Sequence, residues 1–456
     1  MPEKINDIVD ALLRYKNVGD QSTQTLVVDS NGHLACRTLT TREKIAKFFG
    51  LGSASDQNII RLLQRHEAEL HALAKTYKQE GKDELIETLQ LVINGIFEKR
   101  GQLKKAPDLY MHINEHWMQE LPVEVKQKRM REFVIPGTHD SAAYQLDLKR
   151  TPKGKWRIAA RAANFFKFIG LKKAVSEFTL TQHYDFEKQL QLGARYFDLR
   201  ICYDASKKEY YLSHTFACVG LKEALSQFKR FIETHPHEII LLQIEADEQH
   251  RENFTAAHTD EMLKLLNDSL GQWSVRHDAK TPSHINGFGD KTYQELIESQ
   301  QRVVFGFPGR NKIAQPSAGV SDRLKEIWWQ SNLNNEGWLG CNSVEAGLKK
   351  MSEKITFYHA VPQKMHCVAA SLTPKVTEQA TGIVGRVLPT FKKFKALALN
   401  KSIPSTIERG RKMNDALKKV VGTNEENRFQ GIMYCDSPDH SNAFNYLIKQ
   451  NRGRKK

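Results

Sequence analysis

A chain of 456 residues and 52.3 kDa exceeds the roughly 100–200 residues of one ordinary domain, so a full core and an extra module both fit. Hydrophobic residues make up 40% and charged residues 27%, a globular composition that excludes a disordered chain. Lys and Arg number 68 against 53 Asp and Glu, a formal +15 with a pI near 9.3. That balance excludes an acidic, self-solvating chain and leaves nucleic acid, an anionic membrane or a phosphate-bearing substrate as partners.

The charge is uneven. Residues 1–130 hold 19 basic and 18 acidic side chains, net +1, so the remainder carries 49 against 35, or +14. From Leu148 to Ser176 there are nine basic residues and no acid, and from His359 to Ile407 the only acid is Glu378. An anion-facing surface is therefore expected in the C-terminal two-thirds. Cys36, Cys202, Cys218, Cys341, Cys367 and Cys435 form no CxxC pair, which predicts reduced, packing thiols in place of a disulfide framework or a zinc site. The opening MPEKINDIVDALLRYKN lacks the basic-then-apolar run of a secretory signal, and no apolar stretch approaches the ~20 residues of a membrane span. The expectation is a soluble, cytoplasmic-type protein; export by a route without a cleaved signal stays open.

Residues 1–16 read as an amphipathic helix, and TLVVDSNGHLACRTL (25–39) as two strands around an Asn-Gly turn. From Thr41 to about Lys104 the apolar spacing is helical, with Ile59, Leu62, Leu63, Leu70, Leu73 and then Leu85, Leu89, Leu91, Ile93 and Ile96 as its apolar residues. His66 and His71 are expected on solvated helix faces. This predicts a mainly helical module over 1–125 without catalytic residues, followed by a second domain over 126–456.

From Phe133 the pattern changes to short β-branched or aromatic runs: FVIPG (133–137), ARYFDLRI (194–201), YYLSHT (210–215), EIILLQIEA (238–246), RVVFGF (302–307), MHCVAASLT (365–373) and GIMYCD (431–436). Helical stretches such as LKEALSQFKRFIETHP (221–236) separate several of them. Strands without clean alternation, interleaved with helices, predict a parallel sheet covered on both faces. Over this length the fold class is α/β, a TIM-type (β/α) barrel that is closed or distorted. Chemistry in such barrels sits at the C-terminal ends of the strands.

Ionisable groups stand at those ends: His139 and Asp140, Asp198 and Arg200, His214, Glu245 and Asp247, and Asp436. Each alone is consistent with a buried neutral histidine or a structural ion pair. Together on one rim they suit acid–base phosphoryl transfer: one histidine takes a proton from an attacking hydroxyl and the other gives one to the leaving oxygen. An arginine there stabilises charge on the phosphate oxygens, and a carboxylate behind a histidine sets its tautomer. No GxxxxGK[ST] supports nucleotide hydrolysis through a P-loop.

In these blocks the sequence resembles the X domain of phosphatidylinositol-specific phospholipase C. The similarity runs through FVIPGTHDS (133–141), TQHYDF (181–186), GARYFDLR (193–200), LSHT (212–215) and HPHEII (235–240). It spans about residues 130–450 and is closest to bacterial and X-domain-only forms. The resemblance implies His139 as general base toward the inositol 2-hydroxyl, and His214 as general acid for the diacylglycerol oxygen, assisted by Asp140. It implies Arg200 where calcium-dependent relatives hold a metal, Asp198 orienting or balancing that arginine, and Asp436 as the carboxylate behind the first histidine. Glu245 and Lys375 are the implied substrate contacts. Glu245 departs from the bacterial-type pattern, which has lysine there, and matches a metal-binding glutamate of calcium-dependent forms. Since Arg200 would sit in the middle of such a calcium site, no metal and no cofactor are expected.

The basic insert LKRTPKGKWRIAARAANFFKFIGLKKAV (148–175) carries Trp156, Phe165, Phe166 and Phe168 among lysines and arginines. That is the composition of an interfacial helix on anionic lipid, and an ordinary helix packed on the barrel is the plainer reading. GIVGRVLPTFKKFKALALNK (382–401) has similar character, while Trp328, Trp329 and Trp338 fit either interfacial anchors or core. The expected partners are an anionic phospholipid surface and phosphatidylinositol. A non-catalytic lipid-binding barrel and a phosphodiesterase for another glycerophospholipid headgroup are the alternatives. Nucleic acid is suggested by charge alone, without a motif. The sequence is silent on oligomeric state.

Overall fold

The computed structural model describes residues 2–17, 24–28, 34–38, 54–147, 179–214, 216–247, 254–280, 283–309, 312–331, 333, 337–372, 406–421 and 429–452. These divide into two compact units, Met1–Glu115 with Asp439–Asn442, and His116–Pro438 with Ala443–Lys456.

The first unit combines a hairpin with helices. Strands β1 (Gln24–Val28) and β2 (Leu34–Thr38) pair antiparallel, with Leu26 opposite Cys36. Helices Pro2–Asn17, Ala54–Arg65, Glu67–Gln79 and Asp83–Glu98 follow the apolar spacing, burying Ile8, Leu12, Ile59, Leu63, Leu70, Leu89 and Ile93, while Leu91 of the same run is exposed. His71 departs from the expected solvated face. It is partly buried, and burial pushes its pKa down.

The second unit is built on a mostly parallel sheet. In chain order its strands are β3 (Val134–Thr138), β4 (Tyr196–Asp204), β5 (Glu209–His214), β6 (Phe216–Gly220), β7 (Ile240–Ala246), β8 (Val303–Phe307), β9 (Trp329–Gln330), β10 (Cys367–Ala370) and β11 (Gly431–Cys435). Parallel ladders run β10-β11-β3-β4-β7-β8-β9. This is the sequential winding of a (β/α) barrel, since β11 returns to pair with β3. Among the described residues no ladder joins β9 to β10.

The strands are buried on both faces, as every residue of β3, β7, β8, β10 and β11 is buried; this is why their sequences run without alternation. Helices close the outside. Leu221–Thr234 places Leu221, Ala224, Leu225, Phe228, Phe231 and Ile232 on one stripe, and Phe228 meets Phe186 and Phe197 at ring-centroid distances of 4.7 and 4.9 Å. Trp117, Met118 and Leu121 join the same core as β3, β7 and β8. Trp328 and Trp329 are buried, which makes them core residues and not interfacial anchors. All six cysteines are free.

One of the seven expected strands departs from the all-parallel expectation. β5 pairs antiparallel with both β4 and β6, forming a branch off the barrel. His214 therefore reaches the rim from a hairpin and not from a barrel stave.

Candidate active site

The rim is organised first by backbone. β3 ends in Thr138, and the chain turns through Asp140 in the left-handed region, at φ +41°, which short Asp side chains tolerate better than most. Ser141 N–H donates to the Asp198 carbonyl at 3.0 Å, and Asp198 N–H returns a bond to Ser141 Oγ at 2.9 Å. Gln182 Nε2 donates to the carbonyls of His139 and Cys435 at 2.8 and 3.0 Å, and Thr181 Oγ1 donates to the His139 and Asp140 carbonyls. These bonds are buried, so breaking any one strands a desolvated partner.

On β4, Asp198 and Arg200 are two residues apart and share one face of the strand. The register sets Arg200 beside Glu245 of β7. At the end of β11, Asn414 Nδ2 donates to the carbonyls of Asp436 and Ser437 at 2.9 and 3.0 Å. The Thr406–Ala416 helix that carries Asn414 comes so close at Gly410 that a Cβ there would lie 2.6 Å from Asp436 Cβ.

The side chains converge. His139 Nδ1 is 2.8 Å from Asp436 Oδ1, while its Nε2 lies 3.3 Å from Asp140 Oδ2 and 4.0 Å from Asp198 Oδ2. His214 Nδ1 donates to the Thr179 carbonyl at 2.8 Å, and its Nε2 lies 3.1 Å from the same Asp140 Oδ2. One carboxylate oxygen thus faces both imidazoles. The other Asp140 oxygen is 2.7 Å from Arg200 Nε, at an angle off-line for a hydrogen bond, so the attraction is chiefly Coulombic. Trp338 and Tyr434 flank the His139 ring, at 5.3 and 5.7 Å between centroids; Tyr434 is buried and Trp338 is exposed.

Charge decides the protonation states. Burial alone would lower the His139 pKa, but Asp140, Asp436 and Asp198 outweigh it and raise it to about 9. Burial alone would raise Asp140, and Arg200, His139 and His214 reverse that, holding it at about 2. Arg200 is held charged by Asp140, Asp198, Glu245 and Asp247 in spite of its partial desolvation. Burial pushes Asp436 upward, opposed by its contact with His139. A pKa of about 9 leaves His139 an imidazolium at neutral pH, facing the Asp140 carboxylate.

The structure brings together all six residues expected to carry the chemistry: His139, Asp140, Asp198, Arg200, His214 and Asp436. Glu245 joins them, with Oε1 3.6 Å from Arg200 Nε. Lys375, Trp156, Phe165, Phe166 and Phe168 lie outside the described residues. Two contributors escaped the sequence reading. Lys312, after β8, stands 2.9 Å from Glu245 Oε2, and Ser213 Oγ donates to Asp247 Oδ2 at 2.6 Å. Lys312 obeys the same strand-end rule, but FPGRNK offers no spacing that singles it out.

His139, Asp140 and Asp198 place potential ligand atoms within 4.8 Å of one another. Calcium takes six to eight oxygens, and here Arg200 and Lys312 already stand on the carboxylates that would supply them. Among the described residues no helix is long and apolar enough to cross a membrane.

An α/β barrel with a paired-histidine, arginine and carboxylate rim is the class that fold and site define. No protein-family profile matches the chain. It is 26% identical over 284 residues to PI-PLC X domain-containing protein 2 of Mus musculus, covering 61% of this chain and 75% of that protein. It is likewise 26% identical over 283 residues to PI-PLC X domain-containing protein 3 of Danio rerio, covering 60% and 79%. Among solved structures, the phosphatidylinositol-specific phospholipase C from Listeria monocytogenes is 17% identical with a TM-score of 0.47, covering 75% of this chain and 99% of that one. The curated relatives support the X-domain family for this chain, in agreement with the blocks at 133–141 and 193–200.

Proposed function

We propose that this protein is a metal-independent phosphodiesterase of the phospholipase C type, cleaving phosphatidylinositol at an anionic membrane surface. The observation that supports this most is Asp140 Oδ2 lying between the two Nε2 atoms, 3.3 Å from His139 and 3.1 Å from His214, with Arg200 on the other oxygen. Two proton-transfer groups and one phosphate-charge stabiliser thereby face a common space.

His139 Nδ1–H is committed to Asp436, which leaves Nε2 to accept the proton of the inositol 2-hydroxyl once His139 is neutral. The 2-oxygen attacks phosphorus, the bond to the diacylglycerol oxygen breaks, and His214 Nε2 protonates that leaving oxygen. Arg200 stabilises the charge gathering on the phosphoryl oxygens. The products are cyclic inositol phosphate and diacylglycerol; water attacking the cyclic phosphate, with the histidine roles reversed, gives inositol phosphate.

The test is a panel of vesicles differing in headgroup, each with and without chelator, scored by release of water-soluble phosphate ester. Phosphatidylinositol turnover that survives chelator is expected. Selective cleavage of another headgroup would replace the substrate assignment, and turnover lost to chelator and restored by calcium would overturn metal independence. Vesicle binding without turnover on any lipid would favour a non-catalytic barrel.

A further inference from the structure

We infer that Gly410 and Asn414 of the Thr406–Ala416 helix are positioning residues for Asp436, setting where its carboxylate stands against His139. Calling His139 a base rests on the proposed function; the seating of Asp436 does not.

The sheet stops one residue short of that carboxylate. The ladder between β11 and β3 ends with Cys435 beside Thr138, and His139 N–H donates to the Cys435 carbonyl at 3.0 Å. Asp436 and Ser437 lie beyond it, and Ser437 turns through the left-handed region at φ +41°. Both are buried, and buried carbonyls outside a ladder need donors from elsewhere. One amide serves both: Asn414 Nδ2 donates to the Asp436 carbonyl at 2.9 Å and to the Ser437 carbonyl at 3.0 Å.

Gly410 lies one turn before Asn414 on the same face of the helix. Glycine weakens a helix interior relative to alanine, and Gly410 has no positive φ that would require it. Space is what the position demands. A Cβ there would lie 2.6 Å from Asp436 Cβ and 2.7 Å from the Asp436 carbonyl oxygen. The helix is seated on a second neighbour as well, with Met413 Sδ 3.3 Å from where a Cβ on Gly347 would stand, so retreat of the helix would open that contact.

The consequence falls on Asp436 Oδ1, 2.8 Å from His139 Nδ1. That distance leaves no room for closer approach, so a shift of the Asp436 backbone lengthens it. Asp140 and Asp198 face His139 Nε2, whereas Asp436 bonds Nδ1 and so orients the ring. Asp436 also lies in the field of Asp140, His214 and Arg409.

Proton titration of His139 on the full chain tests this, followed by NMR of histidine-labelled protein with the signal assigned by its loss in His139→Gln. The wild-type midpoint is expected at about 9. Asn414→Ala and Gly410→Ala should each lower it by about one pH unit, a tenfold loss of proton affinity. Lys412→Gly, on the exposed face of the same helix, weakens the helix without touching Asp436 and should leave the midpoint in place. In an Asp436→Asn background neither Asn414→Ala nor Gly410→Ala should move it further, since the carboxylate they position is gone. A midpoint unmoved by Asn414→Ala overturns the inference; so does an equal shift in Lys412→Gly, or a shift that persists in the Asp436→Asn background. If Gly410→Ala does not fold, Asn414→Ala decides. The readout requires no turnover. A shifted midpoint in a chain that cleaves no phospholipid would sink the catalytic reading and leave this one, while phosphatidylinositol cleavage with an unmoved midpoint would do the reverse.

Discussion

Strand β4 begins just after one arginine and carries another five residues later, and the two have opposite fates. Arg195 is fully buried. Its Nε and Nη2 reach Glu238 at 2.9 and 2.8 Å, its Nη1 donates to the carbonyls of Leu190 and Ala194, and its guanidinium lies over the Phe231 ring. Glu238 is in turn capped by the N–H groups of Met118 and Gln119. Arg200 sits among Asp140, Asp198 and Glu245 but is partly exposed and poorly aligned with its closest carboxylate. The first arginine is hydrogen-bonded and buried at the N-terminal end of the strands, where barrels keep stability; the second is ion-paired and partly exposed toward the C-terminal end, where barrels keep chemistry.

Several substitutions should break or sharpen that contrast. The largest effect is expected at the histidines: His139→Ala and His214→Ala should each lower phosphatidylinositol turnover by about 10²–10⁴-fold while circular dichroism stays that of the wild type. Next, Arg195→Ala leaves Glu238 buried and unpaired, so urea denaturation should show a loss of about 3–5 kcal/mol. Arg200→Met should reverse the weighting, with kcat reduced by roughly 10²–10³-fold and a smaller loss of stability than Arg195→Ala, since Asp140 keeps its contacts with His139 and His214. Equal destabilisation by both arginine variants would erase the distinction.

Smaller effects concern Asp436 and pH. His139 must be neutral to accept a proton, and its pKa in the free site is about 9, so kcat/KM should rise with pH through the alkaline range toward that value. Asp436→Asn removes one of the carboxylates that raise it, and the rising limb should move to lower pH. A limb unmoved by Asp436→Asn would show that another group controls it. Stability runs the other way: a folded pKa above the unfolded value of about 6.5 means the His139 contribution is complete below that pH and is lost as pH rises through about 9. Chemical denaturation across that window would register the decline.

Most of the barrel was legible because fully buried parallel strands must be apolar on both faces, and each of the seven runs read as strands lies on a strand of the sheet. His139, Asp140, Arg200, Glu245 and Asp436 were legible as polar interruptions at the ends of those runs. The two-residue β9, at Trp329–Gln330, was too short to register as a pattern, and YYLSH looked like another stave because a hairpin strand buried by its neighbours has the same composition.

What the sequence determined by itself is therefore local: which longer segments are strands, which stripes of the helices are buried, and which ionisable groups stand where a strand run ends. Only the tertiary structure decided that Asp140 joins two histidines arriving from different strands, that His214 comes from an antiparallel branch, and that Lys312 closes on Glu245. The reason is physical. Burial leaves its mark on every residue of an element, whereas an ion pair between residues 67 or more positions apart depends on strand order and register, which no single segment encodes.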